Sequence, residues 1–243
     1  MYAPPKFSRK GQNGRLLVIG GGKQYHGAPM FSLLAAKRFV DLIYFCPYEY
    51  DNKLIYGIKT IPEVIVLQKL PKLSDFDCVL FGIGVGKKIE KKLLAKIVKE
   101  SKRLVIDGDG LKHLKNILPK NSIITPHEGE FKMLFGVPGT KENVRKMAQK
   151  HNITILKKDP KGDIISNGSR TKINKIHNRG MTKGGTGDVL AGFVAALFCK
   201  NNSFDSAFFG AKIVGKAGNS LKKKYGFNFS ASDLANELAA VNF

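Results

Sequence analysis

The sequence predicts an α/β fold: a three-layer α/β/α sandwich with a mostly parallel central sheet and a late antiparallel hairpin. Three observations carry this. Short apolar runs alternate with longer amphipathic stretches along the first two thirds of the chain, the rhythm of βαβ units. The runs are apolar at consecutive positions, as strands covered on both faces require. Glycine clusters fall at the ends of several, at Gly20-Gly21-Gly22, Gly82-Ile83-Gly84-Val85-Gly86 and Asp107-Gly108-Asp109-Gly110. In parallel sheets, ligands bind outside the carboxyl ends of the strands.

Arg15 to Gly20 is the first expected strand. Ala28 to Val40 follows, with Met30, Leu33, Leu34 and Ala36 at helical spacing. Leu42 to Cys46, Val64 to Leu67, Cys78 to Phe81, Leu104 to Ile106 and Ile123 to Ile124 are further strand-length runs. Helices are expected over Lys88 to Lys99, Gly110 to Asn116 and Lys141 to Lys150. Ile153 to Leu156, Asp163 to Ser166 and Ser169 to Ile176 read as adjacent strands. Asn167-Gly168 signals a hairpin turn between the last two, because both residues accept positive φ. From about Thr186 the chain reads as helical: Asp188 to Cys199, Ser203 to Lys224, and a last piece behind an N-cap at Ser230 or Ser232. Gly210, Ala211, Gly215, Ala217 and Gly218 on the middle helix imply close packing. All 243 residues are expected to form one domain, with residues 1–12 a loose basic arm.

Hydrophobic residues at 43% and charged residues at 25% place the chain among globular proteins. No apolar run reaches the ~18 residues of a membrane helix. The first residues lack the apolar segment of a secretory signal, so the cytoplasm is the expected compartment. Cys46, Cys78 and Cys199 are an odd number, far apart and in apolar surroundings, and are read as small core residues. With 41 basic and 19 acidic residues the net charge is +22. Lys87, Lys88, Lys91, Lys92, Lys96 and Lys99 surround a helical stretch whose other face is Ile89, Leu93, Leu94, Ile97 and Val98, which describes a solvated helix face. No RNP-type aromatic motif or zinc finger points to nucleic acid. The field favours anionic small molecules.

The strongest local signal is Gly180-Met-Thr-Lys-Gly184-Gly185-Thr186-Gly187-Asp188-Val-Leu-Ala-Gly192. Bare amides at a helix start form an anion site, assisted by the helix dipole. A carboxylate beside a phosphate cradle suits removal of a proton from a hydroxyl that attacks a nucleotide's terminal phosphate. The other reading is a glycine-rich turn with an ordinary first-turn Asp188. Thr125-Pro126-His127-Glu128-Gly129-Glu130 gathers a histidine and two carboxylates at a helix start; His127 is either a ligand contact or a cap. In Gly20-Gly-Gly-Lys-Gln-Tyr25-His26-Gly27-Ala28-Pro29, Tyr25 can stack on a flat ring, or the segment is a permissive turn. Asp107 and Asp109 can meet Mg²⁺ through water or ribose hydroxyls, or serve a turn. No Walker A pattern occurs.

Together these motifs resemble the ADP/ATP-dependent NAD(P)H-hydrate dehydratases of the ribokinase-like superfamily. That family shows G-G-S-x-x-Y-T-G-A-P, G-P-G-L-G, D-A-D-A-L, T-P-H-x-G-E, K-G and G-G-T-G-D-V-L-x-G in order. The counterparts are Gly21 to Pro29, Gly82 to Gly86, Asp107 to Leu111, Thr125 to Glu130, Lys157-Lys158 and Gly184 to Gly192. The resemblance implies a ribokinase-like α/β/α sandwich and a carbon–oxygen lyase that repairs the 6-hydroxy, hydrated form of NADH or NADPH. ADP or ATP phosphorylates that hydroxyl with Mg²⁺ as cofactor, and phosphate is eliminated. Asp188 would be the catalytic base. Ala28, Gly84, His127 and Asp188, with Tyr25 and Asp109, would contact the hydrated dinucleotide. Lys157, Lys158, Asp159, Pro160, Lys161, Gly185, Thr186 and Gly187 would contact the nucleotide, and no resident metal ligands are expected. A homotetramer is implied, without the epimerase domain fused in many relatives. A small-molecule alcohol kinase of the same fold, for a thiazole or pyrimidine, is the alternative; a basic nucleic-acid-binding protein is a more distant one. Ile83 and Val85 replace Pro and Leu of the G-P-G-L-G turn. Lys158-Asp159-Pro160 replace the Gly-Ala that follows the family lysine, and Lys183, placed to add a phosphate contact or narrow the pocket, replaces a small residue.

Overall fold

The computed structural model describes residues 2–114 and 118–241. Among them, nine strands build one sheet: β1 Arg15–Gly20, β2 Leu42–Pro47, β3 Val64–Val66, β4 Cys78–Phe81, β5 Leu104–Ile106, β6 Ser122–Ile124, β7 Thr154–Lys157, β8 Asp163–Ser166 and β9 Thr171–Asn174. Their order is β3-β2-β1-β4-β5-β6-β7-β8-β9. All pairings from β3 across to β7 are parallel, and β8 and β9 add antiparallel at the far edge. The chain steps outward from β1 in one direction and then, from β4, in the other. The switch point therefore lies between β1 and β4, where Gly20 to Gly22 meet Gly82 to Gly86, and a crevice opens at such a point.

Helices α1 Gly27–Ala36, α2 Asn52–Lys59, α6 Thr186–Phe198, α7 Ser203–Tyr225 and α8 Ala231–Glu237 cover one face; α3 Lys91–Glu100, α4 Glu128–Phe135 and α5 Lys141–His151 cover the other. Successive strand side chains point to opposite faces. In β1, Leu16 and Val18 enter the first core while Leu17 and Ile19 enter the second. A consecutive apolar run is thus the signature of a strand that feeds two cores. Each such side chain contributes about 1.5–3 kcal/mol. No helix among the described residues is long and apolar enough to cross a membrane.

Several elements differ from expectation, each for a local reason. The first helix stops at Ala36, and the chain turns so that the Phe39 ring packs edge-on against Phe193 at 4.7 Å. Helix α2 was not anticipated: it is short, but Asp51 caps it by accepting from the Leu54 N–H at 2.9 Å, and Leu54, Ile55 and Ile58 are buried. The hairpin loop is wider than two residues. Asn167 N–H donates to the Arg170 carbonyl at 3.2 Å, and only Gly168 takes positive φ. The stretch expected as helix from Gly110 to Asn116 lies partly outside the described residues; within them, Gly108–His113 winds as a 3₁₀ helix. The N-terminal segment is tied down, not loose. Tyr2 N–H donates to Asn201 Oδ1 at 2.8 Å, and the Gly11 and Asn13 amides donate to Asp41. Cys46, Cys78 and Cys199 are buried free thiols. The small residues of α7 permit close contact: Gly210 faces Val194, Gly215 faces the Ile176 carbonyl and Gly218 faces Met181.

Candidate active site

Helix α6 starts with its backbone exposed. Gly185, at φ +90°, turns the chain into the helix, and a Cβ there would stand 2.5 Å from the Phe31 ring of α1. The Thr186 amide is already engaged by the Lys183 carbonyl at 3.3 Å, and its hydroxyl donates to the Met181 carbonyl at 2.6 Å. The amides of Gly185, Gly187 and Asp188 have no hydrogen-bond partner among the described residues. Around the position of a Gly187 Cβ, the one heavy atom within 4 Å is Lys158 Nζ, at 3.7 Å. Free amides at a helix start, with the dipole behind them, attract an anion. The turn is held rigidly: Ser32 Oγ of α1 donates to the Asp188 carbonyl at 2.8 Å, and the bare Gly192 lets α1 approach the α6 backbone.

The Asp188 carboxyl is half-buried and accepts no hydrogen bond among the described residues. Burial, with the nearby charges of Asp107 and Asp109, pushes its pKa up to about 7, against the pull of Lys158. Asp107, at the end of β5, is 3% exposed and accepts from Lys158 Nζ at 2.9 Å. Lys158 follows β7, where its N–H donates to the Pro126 carbonyl at 2.8 Å and aligns the end of that strand with His127. Burial opposes its charge, but Asp107 and Glu130 hold its pKa above the usual lysine value. Burial raises Glu130 in turn. These charges meet because β5, β7 and α6 all present the same edge of the sheet.

Two cavities open at this edge. The larger, about 760 Å³, is lined by Tyr25, Gly84, Gly86, Asp109 and a set of lysines, Lys23, Lys87, Lys88 and Lys112. The Cβ atoms of Tyr25 and Ala28 lie against Gly84. Asp109 is engaged on both oxygens, by the Gly86 amide at 3.0 Å and by Lys112 Nζ at 2.6 Å. The smaller cavity, about 350 Å³, is lined by His127, Lys158, Asp159, Pro160, Thr186 and Gly187, and by Asp163, His177 and Asn178. Asp188 feels both Asp109, beside the larger space, and Lys158, beside the smaller.

The expected site residues thus fall into two groups with Asp188 between them. Tyr25, Ala28, Gly84 and Asp109 share one side. His127 joins Lys158, Asp159, Pro160 and Gly187 on the other. His127 also caps α4: Nδ1 accepts from the Glu130 N–H at 3.2 Å, and Glu130 Oε2 accepts from the His127 N–H at 2.9 Å. Its side chain keeps 60% exposure, so the cap leaves ring surface for the cavity. Lys157 turns away: it is 2% exposed and paired with Glu128 Oε2 at 2.6 Å and with Asp159. Lys161 is exposed and reaches the site through its amide, which donates to Asp159 Oδ1 at 2.8 Å. Lys183 directs its ammonium to the Phe227 and Phe229 carbonyls, at 2.7 Å each. His177 and Asn178 escaped sequence reasoning because no local pattern marks them; they arrive when the chain returns from β9. Lys23, Lys87 and Lys88 carried a signal in their adjacency to the glycine turns.

Among the described residues no three His, Cys, Asp or Glu side chains converge as a metal site, and Asp107 is already held by Lys158.

The model of the NAD(P)H-hydrate dehydratase family matches residues 16–240. The ADP-dependent (S)-NAD(P)H-hydrate dehydratase of Cenarchaeum symbiosum is 37% identical over 96% of this chain and 90% of its own length. The bifunctional NAD(P)H-hydrate repair enzyme of Archaeoglobus fulgidus is 36% identical over 96% of this chain, which spans about half, 52%, of that protein. The crystal structure of the ADP/ATP-dependent NAD(P)H-hydrate dehydratase from Bacillus subtilis, co-crystallised with ATP/Mg²⁺, superposes with a TM-score of 0.82 at 21% identity, covering 99% of this chain and 92% of that one. That likeness is one of fold; sequence identity and the family model carry the kinship, and the chain belongs to the NAD(P)H-hydrate dehydratase family.

Proposed function

We propose that this protein dehydrates the hydrated nicotinamide ring of NADH or NADPH, using ADP or ATP to phosphorylate the ring hydroxyl. The observation that carries the reading is Asp188: a carboxyl pushed up to about 7, without a hydrogen bond among the described residues, beside the open Gly187 amide. The hydrated dinucleotide occupies the lysine-lined cavity against Tyr25, Ala28 and Gly84. The nucleotide enters the smaller cavity, with its phosphates at Gly185 to Gly187 and the Lys158 to Lys161 turn beside it. When bound on the nucleotide, Mg²⁺ shields phosphate charge.

Asp188 takes the proton of the ring hydroxyl as its oxygen bonds to the terminal phosphorus. The nucleotide's bridging oxygen departs with the electrons of the broken P–O bond. Amides of the α6 start hold the charge developing on the phosphoryl oxygens. Phosphate then leaves from the ring carbon with the electrons of the C–O bond, driven by the ring nitrogen's lone pair, and water takes the neighbouring C–H proton as the ring double bond forms and the dihydropyridine is restored. Phosphate is a far better leaving group than hydroxide. Cytoplasmic action as a homotetramer belongs to the same reading and is supported by the family resemblance.

The test incubates the protein with hydrated NADH or hydrated NADPH and Mg²⁺, with ADP and ATP in parallel, and follows the reduced-nicotinamide absorbance. Recovery of absorbance with at least one nucleotide is expected. The rate should rise as pH passes through about 7, because Asp188 accepts a proton only when ionised. Asp188→Ala should lower turnover about 10³-fold with an unchanged circular dichroism spectrum. A stable phosphorylated product with no restored ring would instead identify an alcohol kinase.

A further inference from the structure

Lys158, directly after β7, brings an ammonium to the smaller cavity beside the start of α6. Burying such a charge is costly unless it is paired and hydrogen-bonded. The pairing is incomplete. An ammonium has three donors; one goes to Asp107 Oδ1 at 2.9 Å, and the other two have no partner among the described residues. Nζ lies 3.7 Å from the position of a Gly187 Cβ, next to the free amide at the α6 start, and the side chain lines the smaller cavity. Asp107 and Glu130 face it from β5 and α4, and Asp188 from α6. Asp188 itself is faced by Asp107, Asp109 and Lys158. Asp107 thus orients the ammonium and leaves its remaining donors for an anion.

We propose that Lys158 is a further catalytic residue. It donates its two unused hydrogens to oxygens of the phosphoryl group in transfer, and its charge favours the ionised, proton-accepting form of Asp188. It keeps its three protons throughout; the hydroxyl proton goes to Asp188, and the phosphorus exchanges the nucleotide's bridging oxygen for the ring oxygen. This rests on the phosphoryl-transfer reading of the site.

The experiment compares Lys158→Met, which keeps the stem, with Lys158→Arg, which keeps the charge. In the Met variant kcat should fall about 100-fold, with KM for the hydrated cofactor within about twofold. The acid limb of its pH–rate profile should move to higher pH, because Asp188 loses the cation that favours its charge. The Arg variant should recover at least about tenfold of that loss. Titration calorimetry with ADP should show about tenfold weaker binding for Met and near-normal binding for Arg. Turnover within about threefold of the parent, with an unmoved acid limb and unchanged ADP affinity, would overturn the proposal. If the Met variant does not fold, Lys158→Ala, which removes the ammonium and leaves the main chain as it is, carries the same expectations. If the parent protein restores no hydrated cofactor, the proposed function fails, and the ADP affinities of the variants still decide the role of Lys158.

Discussion

Gly82 to Gly86 and Gly184 to Gly187 look alike in sequence, yet the first loop engages the carboxylate beside it and the second does not. At Gly82 the chain runs at φ +105°, and a Cβ would stand 2.5 Å from the Asp107 carbonyl and 2.6 Å from the Gly110 Cα. Its carbonyl accepts from the Gly110 N–H at 3.2 Å, Ile83 accepts from Gly21 at 2.8 Å, and the Gly86 amide donates to Asp109. Gly82 is required by neighbouring backbone, whereas a Cβ at Gly86 would meet nothing within 4 Å. In the second loop Gly184 has nothing within 4 Å of a Cβ position, Gly187 meets only Lys158, and the nearby carboxylate, Asp188, is not engaged. Asp109 completes its loop, whereas Asp188 is left for a ligand. The two loops differ in what becomes of the carboxylate beside them, and glycine content alone does not separate the two cases.

Substitutions can break this contrast. Gly82→Ala should have the largest effect on the fold, about 3 kcal/mol or more, because both φ and the main chain around Asp107 and Gly110 must shift. Urea unfolding would measure it, and a loss below about 0.5 kcal/mol would show that the neighbouring backbone does not require Gly82.

Next comes Asp188→Asn, read as stability against pH. Burial raises the folded pKa of Asp188 to about 7, above its ordinary value of 3.8. Ionising it therefore penalises the folded state: the penalty is absent below pH ~4 and complete above pH ~7. The Asn variant should be more stable than the parent at pH 8 by about 1–2 kcal/mol and nearly equal to it at pH 4. Thermal melts at the two pH values check the sign.

Gly187→Ala should leave the melting temperature within about 2 °C while raising the nucleotide KM about tenfold, since the added methyl occupies the ligand's place and not the protein's. Gly184→Ala is the smallest change, within about 0.5 kcal/mol. If both alanines destabilised the protein as much as Gly82→Ala, the two loops would be of one kind.

Much of the fold was legible locally. The run Leu16 to Ile19 signalled a strand covered on both faces, and it feeds both cores. The cap was placed at Ser230 or Ser232, and Ser230 takes it, forming a capping box with Asp233. Helix α2 was missed because eight residues containing Gly57 give too little periodicity. The two-residue turn at Asn167-Gly168 was too narrow because the Asn167 side chain accepts from the Arg170 N–H at 2.8 Å and widens the loop. At the site, the glycine turn before α6 and the place of Asp188 in its first turn were legible from spacing. The different fates of Lys157 and Lys158 were not, because successive residues at a strand end point to opposite sides and only the packed neighbours say which side holds Glu128 and which holds Asp107.

From the order of its residues alone, this chain determined that a parallel sheet would form, where its glycine turns would fall, and which acid would follow the last of them. These follow from periodicity and backbone freedom, which act between near neighbours. Only the tertiary structure decided which loop engaged its acid, which lysine faced Asp188, and that burial would push the Asp188 pKa up to about 7. Those outcomes depend on burial and on charges brought together from β5, β7 and α6, and at short range in a half-buried site such charges interact strongly regardless of how far apart they stand along the chain.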